Sequence, residues 1–214
     1  MLLPTNPLLL LSLGFTVGLS GALIPGPLLV YTIKESLVKG KWTGLKVMLG
    51  HALVEVAVII LLVAGLATII SSKTLAATIS LLGGLMLIYL GARSLSQGGE
   101  NTNIKMKHSC NLIIGGTFFT AFNPSFPLWW ATAGLRLLME GYAKMGPTGV
   151  ALVVVGHWIA DFGWYIIISH TTARKSKTLF EKGWYKKIRT TLSIMLAAIG
   201  VYFLYTVQWS AFIR

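Results

Sequence analysis

The sequence predicts an all-α membrane protein: six transmembrane helices arranged as two inverted three-helix repeats, with helices 1 and 4 broken at Pro/Gly. Three observations carry this expectation. The 214-residue chain is 55% hydrophobic and only 11% charged, with a mean hydropathy of +0.75, too apolar and too poor in charge for an ordinary water-soluble domain. Six apolar stretches, at 8–35, 44–70, 75–93, 112–138, 149–170 and 190–212, are long enough to cross a bilayer core, which takes roughly 20 residues of helix. The motifs of the first three stretches return in the same order in the last three.

Taken in order, the first stretch is interrupted by Ile24-Pro25-Gly26-Pro27. Proline removes a helix donor and clashes with the preceding turn, and glycine does not hold the ladder together. In hydrocarbon a freed backbone group costs several kcal/mol unless protein, water or a ligand satisfies it, so broken spanning helices line cavities. Upstream, Gly14, Gly18 and Gly21 with Ser12 and Ser20 give this helix a small-residue surface suited to close packing. Residues 1–7 hold no Lys or Arg and so lack the basic region of a cleavable signal peptide; the first helix is expected to be retained.

The second stretch carries Gly50-His51-Ala52-Leu53-Val54-Glu55, and the fifth answers with Gly156-His157-Trp158-Ile159-Ala160-Asp161. The fourth has its own breaker cluster, Phe122-Asn123-Pro124-Ser125-Phe126-Pro127, and the third and sixth share a weaker echo at 84–89 and 200–205. A linker rich in Ser, Gln, Gly and Asn separates the halves. The domains expected are therefore 1–95, a cytoplasmic linker loop at 96–111, and 112–214. Each half holds an odd number of spans, so the second enters the membrane from the opposite side. Secondary transporters with such inverted repeats place their site near the midplane, between the repeats.

The net charge of +12 would point to nucleic acid in a soluble protein, but here the cations sit between apolar stretches, as topology signals and lipid-headgroup contacts. Fourteen Lys and Arg follow stretches one, three and five; only Lys73, Arg136, Lys144 and Arg214 lie on the other side. By the positive-inside rule both termini are predicted outside the cytoplasm. Cys110 is the single cysteine, which excludes a disulfide or a cycling thiol pair within the chain. Trp42, Trp184, Tyr185, Tyr142 and Trp209 read as interfacial belt residues; Trp129 and Trp130, directly after the second break, fit either the wall of a pocket or the belt, with the belt slightly favoured.

Of six acidic residues only Glu55 and Asp161 fall well inside apolar helices, near the middle of the core. A charge there costs about 2.5–3.5 kcal/mol on insertion scales, so it turns toward a partner or a wet cavity. Each acid has a histidine four residues earlier, one helical turn away on the same face. His51 with Glu55 and His157 with Asp161 suit a proton relay. Two helix breaks at matching places add amino ends for a carboxylate and free carbonyls for an ammonium, a combination that suits a zwitterion. Pro25, Gly26, Pro27, Asn123 and Pro124 are therefore the expected substrate-binding residues, with Glu55, Asp161, His51 and His157 as proton-coupling residues.

Together these motifs resemble the lysine exporter (LysE-type) translocators, a family that includes homoserine and threonine exporters. The likeness rests on Pro25-Gly26-Pro27, the series Gly40, Gly44, Gly50 with Glu55, Tyr89-Leu90-Gly91, and Asn123-Pro124 followed by Trp129-Trp130. Ser125 and Phe126 stand where that family more often has a lysine and a small residue. The resemblance implies a prokaryotic plasma-membrane exporter of cationic or small neutral amino acids, driven by proton antiport, with no cofactor. Its partners would be amino acid, protons and lipids; oligomeric state is left open. No nucleotide-binding GxxxxGK[ST] loop occurs. The alternatives are a divalent metal exporter with His51, Glu55, His157 and Asp161 as ligands, and an intramembrane hydrolase. No hydrolase motif supports the latter, so an enzyme is not expected.

Overall fold

The computed structural model describes residues 6–70, 72–96, 111–181 and 184–207. The predicted linker lies outside them except at its two ends, as do Cys110, Trp209 and Arg214. The described chain is helical, without strands: α1 (Pro7–Ala22), α2 (Pro27–Lys39), α3 (Thr43–Val63), α4 (Ala67–Ile70), α5 (Lys73–Ser96), α6 (Leu112–Ala121), α7 (Ser125–Trp129), a π-helical turn (Trp130–Gly134), α8 (Leu135–Glu181) and α9 (Trp184–Tyr205). Four stretches are long and apolar enough to cross a membrane, or five if α1 and α2 form one bent span. Large side chains such as Leu53, Ile60 and Val63 stand exposed, as a lipid-facing surface requires.

Local chemistry sets the ends. Asn6 accepts the Leu8 N–H and Pro7 occupies the first position of α1, where proline's missing donor does no harm. The chain leaves the helix after Ala22, and α2 restarts at Pro27 with its axis 80° away. Where a continuous helix over 44–70 is predicted, α3 stops at Val63, because Gly65 takes φ +82°, a conformation open to glycine at little cost. The fifth helix runs past its expected end at His170 into the basic segment, to Glu181.

At 47 residues α8 would be about 70 Å long if straight. It is not straight: Met145 and Gly146 leave helical geometry, Gly146 with φ +58°. Gly141 and Gly149 meet backbone to backbone, although eight residues of straight helix would hold them about 12 Å apart. The chain reverses there and forms a helical hairpin.

Packing pairs α1 with α8, α3 with α6, and α5 with α9. Glycine makes each pairing close, and the contacts are reciprocal. Gly156 lies against the Leu11 carbonyl and Phe15 amide, while Gly50 lies against the Ile113 carbonyl and Thr117 amide. Gly14 abuts the Val153 backbone as Gly116 abuts Val47, and Gly84 and Gly200 abut each other. Substituting Gly50 or Gly156 by Val is expected to force the helices apart and lower the melting temperature in detergent by at least about 5 °C, consistent with a loss of 1–3 kcal/mol or more. Gly163→Ala, with open space around it, should be neutral or slightly stabilising.

Candidate functional site

The helical period places His51 and Glu55 one turn apart on α3, and His157 and Asp161 one turn apart on α8. The packing of these helices joins the pairs into one crossed quartet. His51 Nε2 lies 3.4 Å from Glu55 Oε1 and 3.3 Å from Asp161 Oδ2. His157 Nε2 lies 2.7 Å from Glu55 Oε1 and 3.2 Å from Asp161 Oδ2. All four are buried, and Glu55 has no solvent exposure. An isolated charge so placed would cost several kcal/mol, so the pairing is a condition for burying it.

Two indoles complete the surroundings of Glu55. Trp130 Nε1 donates to Oε1 at 3.2 Å and Trp158 Nε1 donates to Oε2 at 2.6 Å. An indole N–H only donates, so both carboxyl oxygens act as acceptors. The π-helical turn delivers Trp130: it adds a residue to the turn, and Gly134 leaves room for the ring, which a side chain there would strike. Trp129 stacks on His157 with centroids 5.0 Å apart, and Phe126 meets the His51 ring edge-on at 5.4 Å.

The second nitrogens of the histidines differ. His51 Nδ1 lies 3.0 Å from Thr120 Oγ1, and Thr120 donates its own proton to the Gly116 carbonyl. With its single hydrogen used, Thr120 accepts, so His51 carries a proton on Nδ1 and turns Nε2 toward the acids. Among the described residues His157 Nδ1 has no hydrogen-bond partner, and it faces the backbone at Gly18.

The quartet opens onto a cavity of about 90 Å³ that also touches Gly21, Ala22 and Ile24 beside the first break, and Asn123 and Ser125 at the second. Of the residues singled out for binding, Gly26 and Asn123 line it. The breaks adjoin: the Asn123 amide nitrogen lies 3.9 Å from where a Cβ on Gly26 would sit. Asn123 Oδ1 accepts from the Ser125 backbone and hydroxyl, which fixes the amide. The three prolines do not line the cavity. Pro25 is exposed, Pro27 and Pro124 are buried, and their part is to shape the backbone.

Trp129 and Trp130 differ from the belt expectation. Trp130 is only 1% exposed and Trp129 walls the cavity. Adjacency to the break, not the indole's usual interfacial preference, decides their place. Trp42, Trp184 and Tyr142 are exposed. Sequence reasoning passed over Trp158 and Thr120. The signals available were a tryptophan next to an intramembrane histidine and a hydroxyl one turn before Pro124. His51, Glu55 and Asp161 also offer ligand atoms within 4.8 Å of one another, enough to hold a metal ion.

A helical, multi-pass membrane protein with a buried acid–histidine centre beside two helix breaks has the features of a transporter. Residues 19–207 match the model of the LysE type translocator family, and the chain belongs to that family. No curated protein and no solved structure shows a significant match.

The crossed geometry makes His157 and Glu55 interdependent. A double-mutant cycle of His157→Gln and Glu55→Gln, read by thermal unfolding in detergent, is expected to show a coupling of about 1–3 kcal/mol. The same cycle between His170 and Glu55 should be additive within about 0.5 kcal/mol.

Proposed function

We propose that this translocator exports amino acids, cationic or small neutral, across the plasma membrane of a prokaryote in exchange for protons. The observation that carries this reading is the cavity where residues at the two backbone breaks meet the His51, Glu55, His157 and Asp161 quartet. An amino acid brings an ammonium for the carboxylates and a carboxylate for backbone amides at the start of α2 and for the Asn123 amide. Protons on the quartet and an ammonium compete for the same negative charge, which is the basis of antiport.

The architecture proposed is six spans in two inverted triplets: α1–α2, α3 and α5, then α6 to the Gly146 reversal, the remainder of α8, and α9. The reciprocal glycine contacts support it: those of Gly14 and Gly156 have counterparts at Gly116 and Gly50 in the other half, and Gly84 pairs with Gly200. Pairs that swap partners, α1 with α8 and α3 with α6, together with the self-matched pair α5 with α9, are what a two-fold axis in the membrane plane generates. The cation bias then puts both termini outside, and alternating access follows if one triplet rocks against the other.

A divalent metal ion is the competing cargo, and the donor set favours it. The cavity, however, reaches beyond the quartet to both breaks, where Gly26 and Asn123 provide room and dipoles that a bare ion does not use.

Proteoliposomes loaded in turn with radiolabelled lysine, arginine, threonine and homoserine test the proposal. Efflux of at least one is expected to accelerate about 10-fold or more under an inward proton gradient, and Glu55→Gln should abolish that acceleration. Efflux that ignores the gradient in wild type, or no efflux of any of the four, would overturn it.

A further inference from the structure

Around the quartet the neighbouring donor atoms are separated by 3.4, 3.3, 3.2 and 2.7 Å. Ligands of a tetrahedral zinc-like ion, with bonds of about 2.0–2.1 Å, lie about 3.3 Å apart. The four edges are close to that value, and the ligand atoms of His51, Glu55 and Asp161 all lie within 4.8 Å of one another, a three-residue set that His157 adjoins. Surface ion pairs have no reason to close into a ring of this size.

The outer contacts point the same way. Thr120 fixes a proton on His51 Nδ1, so in the neutral imidazole the nitrogen facing Glu55 and Asp161 presents a lone pair that a metal ion can use. A ligating histidine has this arrangement: the far nitrogen is held by a hydrogen bond and the near one is directed at the metal. Trp158 and Trp130 hold the Glu55 carboxylate from the other side. Two carboxylates with two neutral imidazoles carry a charge of −2. In a buried site that charge must be balanced, either by protons on the imidazoles or by one divalent cation in their place.

We propose that His51, Glu55 and Asp161, with His157 adjoining them, form a binding site for one divalent transition-metal ion of the zinc, cobalt or nickel class. The imidazole-carboxylate set in four-coordination selects these ions over magnesium and calcium, which prefer six or more oxygen ligands. Because His51 and Glu55 lie on α3 and Asp161 on α8, the bound ion ties the helices together across the cavity. The site stands on geometry alone, whether or not the protein exports amino acids.

The test uses tag-free, chelator-treated full-length protein in detergent, titrated with Co²⁺. Binding of one ion per chain is expected, with the intense visible absorption of four-coordinate cobalt, displaced by Zn²⁺ but not by Mg²⁺. Quenching of tryptophan fluorescence should accompany it, since three indoles adjoin the site. Glu55→Gln or His51→Gln should weaken binding by about 100-fold, and Thr120→Val by about 10-fold; His170→Gln should leave it unchanged. As a reading that needs no variant, Zn²⁺ should raise the wild-type melting temperature. No saturable cobalt binding, a six-coordinate spectrum, or equal affinity in wild type and His51→Gln would overturn the proposal. None of these readings involves amino-acid flux, so failure here is separate from failure of the transport assay.

Discussion

Everything at the centre of this protein depends on burying the Glu55 carboxyl group with no solvent exposure. A carboxylate in a low-dielectric interior is tolerable only if nearly every lone pair has a partner. Here the partners come from separated parts of the chain: His51 on the same helix, His157 and Trp158 on α8, and Trp130 from the π-helical turn. The requirement therefore fixes the relative positions of α3, α8 and the end of α7. Breaking one contact strands a charge, which is far more damaging than losing an average hydrogen bond.

That convergence is feasible because the backbones approach so closely. Gly14 and Gly18 bring α1 against Val153 and His157, while Gly50 and Gly116 do the same for α3 and α6. Without water to drive helices together in lipid, small residues that admit backbone contact supply the packing. The close-packed pairs hold the quartet, whereas the two breaks interrupt the helices beside it and leave a cavity. Rigid packing and local irregularity thus occupy adjacent positions along the same helices, an arrangement consistent with a site that is preorganised yet accessible.

Much of this was legible in the chain. Intramembrane acids with histidines at i−4 announced themselves, because a charge in an apolar helix has few bland explanations. The breaks at Pro25 to Pro27 and at Asn123 to Pro127 were visible for the same kind of reason: proline and glycine act through the local backbone. What sequence could not convey was the crossing. The i−4 spacing predicts His51 with Glu55 and His157 with Asp161, yet the shortest contact within the quartet is His157 to Glu55, at 2.7 Å, and it exists only through helix packing. Trp130 was misplaced because an indole reads as an interfacial residue until a π-helical turn rotates it inward. Trp158 and Thr120 were missed because their roles depend on partners about 100 and 70 positions away in sequence, at Glu55 and His51. The reversal at Met145 and Gly146 falls inside the gap left between the fourth and fifth stretches, 139–148, but the helix closes up to it on both sides more tightly than those boundaries suggest.

The central claim is that substrate and protons compete for the quartet, and proton release on binding tests it most directly. Purified wild-type protein in weakly buffered detergent would receive lysine, arginine, threonine or homoserine while a pH indicator is followed, with binding heat measured in parallel. The account predicts that an amino acid that binds wild type releases protons, and that it releases fewer from the Glu55→Gln, Asp161→Asn double variant. Binding heat from wild type with no proton release would contradict it.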